Sequence, residues 1–78
     1  MLNTMTGAVR LRLSEILKER NMRQIEFAFR SGLSENTISD LTNNAVRQIR
    51  LDTLAKICDT LNIEPGDIFV YKAESESQ

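Results

Sequence analysis

Apolar positions along this chain change their spacing several times, and each change marks an element. Val9, Leu11 and Leu13 alternate with Arg10 and Arg12, the period of two that sets one side of a short strand against a core. From Leu13 the spacing lengthens. Leu13, Ile16 and Leu17 fall at i, i+3 and i+4 and so share one face of a helix, which runs to about Arg20, where Asn21 helps to stop it. A second helix is expected over about 23–31, with Phe27 and Ala28 inward and Gly32 supplying the left-handed conformation that ends it. Ser34 is a good cap for a third helix over about 35–43, anchored by Ile38 and Leu41. Beyond a polar loop at 43–49, Leu54, Ile57, Cys58 and Leu61 recur at i, i+3, i+4 and i+7. They give a fourth helix with Asp52 at or near its start. Glu64-Pro65-Gly66-Asp67 then begins a last turn of helix, with Pro65 at its favoured first position and Asp67 near the positive end of the dipole. Ile68, Phe69, Val70 and Tyr71 close the pattern as an apolar, β-prone run.

The pattern therefore predicts four or five short helices between two terminal strands, at about 9–12 and 69–71, that pair economically with each other. A lone two-stranded ribbon is marginal, so it has to pack on the helices or on a second subunit. Residues 1–7 read as a loose arm and 72–78 as a polar, disordered tail, leaving one domain over 8–71. A length of 78 residues fits one small domain, which buries only about 60–65% of its unfolded surface. Apolar content of 41%, aromatic content of 5% and no Trp favour a helical domain with an aliphatic core over a β-sandwich.

Composition also narrows the chemistry. No stretch approaches the roughly 18–20 apolar residues of a membrane helix, and 1–7 lacks an apolar signal core. A soluble, cytoplasmic protein without membrane partners is expected. Cys58 is the only cysteine, so no internal disulfide forms. Its place on the apolar stripe of the fourth helix reads as a small core residue rather than a redox sensor. With no His, zinc and His-based acid–base chemistry are excluded. No glycine-rich phosphate loop is present, and the carboxylates are scattered. No catalytic residue, metal or cofactor is expected, and the protein is not read as an enzyme.

The stretch Arg23–Leu41 combines a short helix, a glycine turn and a second short helix, the pattern of a DNA-reading helix-turn-helix over about 23–42. Gln24, Phe27-Ala28, Gly32-Leu33, Ser34, Ile38, Leu41 and Asn43 resemble the lambda-repressor-like, XRE/Cro-type family. Ile49-Arg50-Leu51-Asp52-Thr53-Leu54, Ile57-Cys58, Leu61 and Glu64-Pro65-Gly66-Asp67-Ile68 are similar to its last two helices. Stretches 56–61 and 65–69 are similar to a branch of small single-domain regulators. The resemblance covers about 9–69. It implies an all-α, five-helix DNA-binding domain whose third helix lies in the major groove, with Glu35, Asn36, Thr37 and Asp40 toward the bases. It further implies that Gln24 braces a phosphate and the start of the third helix, that Ser34 and Asn43 meet phosphate, and that Arg50 reaches toward the minor groove. The chain departs from the family at Arg23, where a capping Thr is usual, and at Asn44, where Gly is usual. Glu26 keeps the far half of a capping box whose near half is missing. The third helix lacks the Arg or Lys common in relatives.

The net charge is −1, whereas nucleic-acid binders are usually basic, so the distribution of charge has to carry the case. Arg23, Arg47 and Arg50 fall where relatives meet the backbone, with Gln24, Ser34, Asn43, Asn44 and Gln48 as neutral donors; the bland alternative is solvated surface arginines. Glu35 and Asp40 read either as acceptors from cytosine, as dipole complements, or as the sign of a surface turned to a protein partner. Ile25 and Phe29, one turn apart, read either as a dimer contact or as residues covered by the terminal strands, and Val9, Val70 and Tyr71 fit both arrangements. The expectation is a regulator, a repressor first, that binds double-stranded DNA as a homodimer. The alternative is an antitoxin-like or anti-regulator module on the same fold, with the acidic helix on a basic partner.

Overall fold

The computed structural model describes residues 8–72, so the expected arm at 1–7 and tail at 73–78 lie outside the described residues. Strand β1 (Ala8–Leu11) runs antiparallel to β2 (Phe69–Lys72), with Val9 opposite Tyr71 and Leu11 opposite Phe69. This is the terminal pairing suggested by the pattern, and Arg12 extends it by donating its N–H to the Ile68 carbonyl at 2.7 Å. Lys72, expected in the tail, is the last residue of β2 and stands across from Ala8. Between the strands lie α1 (Leu13–Glu19), α2 (Gln24–Ser31), α3 (Glu35–Thr42), α4 (Leu51–Leu61) and a 3-10 turn at Pro65–Asp67.

The five-helix, all-α expectation is corrected on two counts. The domain has four α-helices and a two-stranded sheet, and the expected fifth helix is a three-residue turn. Glu64 and Asp67 cap each other across Pro65 and Gly66, with the Glu64 N–H donating to Asp67 Oδ2 at 3.0 Å. Ile68 then has to enter the core, where it is fully buried, and Phe69 is already in the ribbon. No room remains for a second helical turn.

Helix ends follow one device. Asn21, Asn44 and Asn62 take φ of 58°, 56° and 57°, and Gly32 takes 79°. Asn reaches this left-handed region more cheaply than other side chains because its short amide bonds locally. After Asn21, Asn44 and Asn62 the next N–H reaches back over the helix end, Met22 to Leu17, Ala45 to Asp40 and Ile63 to Cys58, which satisfies carbonyls otherwise left open.

α2 packs on α3 and α4, and α1 packs on α3. Phe27, Leu13, Ile38, Ile57, Leu61 and Ile68 meet in the centre with almost no exposure. Each such side chain stabilises the fold by roughly 1.5–3 kcal/mol relative to an exposed one. Cys58 is half-buried and packs against this core. Burial, and then the carboxylates of Glu64, Asp59 and Asp67, push its thiol above the ordinary cysteine range, as suits a packing residue. Among the described residues no helix is long and apolar enough to cross a membrane.

Candidate nucleic-acid interface

α3 is held by its inner face and left open on its outer one. Ile38, Leu41 and Thr42 are buried, which turns Glu35, Asn36 and Asp40 to solvent. Ser34 starts the helix as its pattern predicts. Its Oγ accepts the Thr37 N–H at 3.1 Å and donates to Thr37 Oγ1 at 2.9 Å, so Thr37 is drawn toward the cap and half-buried. Glu35, Asn36 and Asp40 make no side-chain hydrogen bond or ion pair with any described residue, so their polar atoms are available to a ligand. Glu35 lies in the first turn, where the dipole favours a carboxylate.

The flanking residues divide into free and engaged. Arg23, Arg47 and Gln48 are exposed and have no side-chain partner among the described residues. Arg23 precedes α2 in extended conformation and gives no side-chain cap. Glu26, the remnant of a capping box, instead pairs with Arg30 at 2.9 Å. Gln24 Nε2 donates to Thr42 Oγ1 at 3.3 Å, and that hydroxyl donates to the Ser39 carbonyl at 3.1 Å. Gln24 thus braces the end of α3 rather than its start, because buried Thr42 is where an acceptor awaits a donor. Asn43 Nδ2 lies back on Ser39 Oγ at 3.4 Å, a long contact that a better acceptor can displace.

Two residues are committed elsewhere. Asn44 Oδ1 accepts the Leu11 N–H at 2.7 Å, and its Nδ2 donates to the Leu11 carbonyl at 3.1 Å. The carboxamide therefore mimics a neighbouring strand and ties the end of α3 to β1, which spends the groups a phosphate contact needs. Arg50 makes a forked contact with Asp52, Nε to Oδ1 at 3.1 Å and one terminal nitrogen to Oδ2 at 3.2 Å. These hydrogen bonds first, and attraction second, raise the Arg50 pKa and hold the Asp52 carboxyl below the usual aspartate range. Asp52 was legible only as a helix-start residue; the missed signal was its place two residues after an Arg, in the first turn that the Arg precedes.

The apolar dimer candidates are not brought together as one surface by the described contacts. Ile25 is 61% and Phe29 89% exposed, so the described strands do not cover them. The ribbon packs its Leu11 and Phe69 end against the core instead. At its other end Val9 is 63% and Tyr71 64% exposed, while Val70 is half-buried. No cluster of His, Cys, Asp or Glu suited to a metal ion occurs among the described residues.

Comparison with known proteins agrees with this geometry. A family model described as the Cro/C1-type HTH DNA-binding domain matches residues 12–74. An uncharacterised HTH-type transcriptional regulator of Bacillus subtilis, YozG, is 33% identical over 70 residues, 90% of this chain and 83% of that protein. Among solved structures, a protein from Bacteroides fragilis described as DNA-binding superposes with a TM-score of 0.70 at 32% identity, covering 81% of this chain and all of the other. The transcriptional regulator VanUg superposes with a TM-score of 0.66 at 28% identity, covering 95% of this chain and all of the other.

Proposed function

The chain belongs to the Cro/C1-type helix-turn-helix DNA-binding family, and on that premise we propose that it is a sequence-specific, double-stranded-DNA-binding transcriptional regulator that acts as a repressor. α3 enters the major groove with Glu35, Asn36, Thr37 and Asp40 toward base edges. Gln24, Asn43 and Gln48 donate to the backbone, Ser34 joins them by turning its hydroxyl proton from Thr37 Oγ1, and Arg23 and Arg47 neutralise phosphates. Arg50 joins them when it leaves Asp52. Two copies related by a two-fold axis place their α3 helices in successive major grooves about 34 Å apart, and occupancy of a promoter excludes polymerase. The observation that carries the reading is the outer face of α3, exposed and without partners, beside two arginines free of ion pairs among the described residues.

The test is selection from a pool of random duplexes at low and moderate salt. A shared sequence among the bound duplexes, with binding that weakens as salt rises, is the expected result. A folded protein that retains no duplex at low salt refutes the reading. The acidity of α3, with two carboxylates and no basic residue, favours a second reading: an antitoxin-like or anti-regulator module whose α3 binds a basic protein surface. That reading predicts no duplex retained in the same selection, and salt-sensitive binding to a basic peptide that Glu35→Gln and Asp40→Asn together abolish.

A further inference from the structure

The stripe that turns α3 to the core holds one polar member. Ile38, Leu41 and Thr42 fall at i, i+3 and i+4 and are buried, and Thr42 is the one buried polar side chain among the described residues. Valine has nearly the same shape and no polar atom, whereas a buried hydroxyl costs stability unless it is bonded. Two bonds use this one. The Ser39 carbonyl can only accept, so its 3.1 Å contact takes the single proton of Thr42 Oγ1. Toward Gln24, at 3.3 Å, the oxygen is left as an acceptor alone. The Ser39 carbonyl also receives the Asn43 N–H at 3.0 Å, so the end of α3 is satisfied without the hydroxyl.

The committed proton orients the carboxamide of Gln24. An oxygen that only accepts needs a donor, so Nε2 faces Thr42 and Oε1 cannot take its place. Gln24 is the first residue of α2 and is exposed, and no described residue meets its Oε1 or its second Nε2 proton. A free carboxamide turns between two orientations of nearly equal shape, one of which sets its oxygen against an approaching phosphate. Phosphate oxygens only accept, so that orientation repels. We propose that Thr42 is a positioning residue for DNA binding: its hydroxyl, with its proton given to Ser39, holds Gln24 by one Nε2 proton and leaves the other for a phosphate oxygen. The inference rests on the DNA-binding reading above and adds to it a buried residue that touches no DNA.

Two measurements test it, one on the free full chain and one on a duplex retained in the selection. In the free chain, nitrogen relaxation of the Gln24 side-chain amide should report an ordered group in wild type and Thr42→Ser. The same amide should be mobile in Thr42→Val, with an unchanged circular dichroism spectrum. Thr42→Ala is the second variant, because it removes the hydroxyl without setting a methyl against the Ser39 carbonyl. On the duplex, Thr42→Val should weaken binding about two- to tenfold, the worth of one neutral hydrogen bond. Its salt slope should not change, because a neutral donor releases no counterion, and Thr42→Ser should bind as wild type. In a Gln24→Ala background Thr42→Val should have no further effect. An amide as mobile in wild type as in Thr42→Val, or a Thr42→Val loss that persists without Gln24, overturns the assignment. A wild type that retains no duplex overturns the regulator and the phosphate contact with it, whereas a duplex bound equally by wild type and Thr42→Val overturns the role of Thr42 and leaves the regulator standing.

Discussion

Asn44 joins the reading helix to the ribbon, and replacing it separates a structural role from a phosphate contact. Asn44→Ala removes two hydrogen bonds to Leu11, at 2.7 and 3.1 Å, each worth about 0.5–1.5 kcal/mol net. It also leaves a Cβ residue without a local amide bond at φ 56°, which costs up to about 1–2 kcal/mol. The expected loss is about 2–4 kcal/mol. A chain of 78 residues has roughly 4–12 kcal/mol in all, so the loss is a large share. Asn44→Gly removes the same bonds but accepts the conformation, and should be the milder variant by about 1 kcal/mol. Urea unfolding followed by circular dichroism measures both; with a slope near 1 kcal/mol per molar, the alanine midpoint should fall by about 2 M or more. Amide exchange at Leu11 should accelerate in both variants. If Asn44→Ala unfolds within about 0.5 kcal/mol of wild type, or loses duplex affinity with stability intact, the tie to Leu11 is not what Asn44 contributes.

Three further outcomes follow from the same contacts. Phe27→Ala empties the centre of a fully buried cluster and should cost about 3–5 kcal/mol, enough to leave a sizeable unfolded fraction at 37 °C by circular dichroism. Ser34→Ala removes the acceptor of the Thr37 N–H and should cost about 1 kcal/mol, with lost amide protection confined to the first turn of α3. The Asp52 carboxyl is held below its usual range by Arg50; its folded pKa is thus depressed, and the stability it contributes is present above the ordinary aspartate pKa and is lost as pH falls through the lower, folded value. A carbon-detected NMR titration of Asp52 should show that low midpoint in the wild type, and Arg50→Gln should return it to the ordinary range.

Spacing of apolar residues carried most of the fold. The i, i+3, i+4 stripes located α1 and α4, the Gly32 turn and the Ser34 cap placed α2 and α3, alternation at Val9–Leu13 located β1, and the apolar run at Ile68–Tyr71 located its partner. The fifth helix was misread because Pro65, Gly66 and Asp67 signal a helix start without signalling how long it lasts. Its length was set by Ile68, which the core claims, and by Phe69, which the ribbon claims. The candidate site was legible where placement depends on local position: Ser34 as a cap, and Glu35, Asn36 and Asp40 as the outer face of α3. It was not legible where long-range geometry chooses among partners. Nothing within a few residues of Asn44 announces Leu11, 33 positions away. Gln24 likewise found Thr42, 18 residues on, because packing of α2 on α3 brought together a donor and a buried hydroxyl.

The ion pair at Arg50 bears on how this domain can tell one duplex from another. With Arg50 held by Asp52, Arg23 and Arg47 remain as free cations among the candidate contacts. Two neutralised phosphates per subunit give a log–log salt slope of about −1.8, and about −3.6 for a dimer, from −0.9 per phosphate. Non-specific binding is correspondingly weak, and the unpaired carboxylates of Glu35 and Asp40 weaken it further beside phosphates. A site whose bases satisfy those carboxylates, cytosine amino groups above all, removes that repulsion, so discrimination rises as general affinity falls. Asp52→Asn releases Arg50 and should steepen the dimer slope by about 1.8, to about −5.4, while raising binding to unrelated duplexes more than to a selected one. An unchanged slope in a variant that still folds and binds shows that Asp52 does not withhold Arg50 from the phosphates.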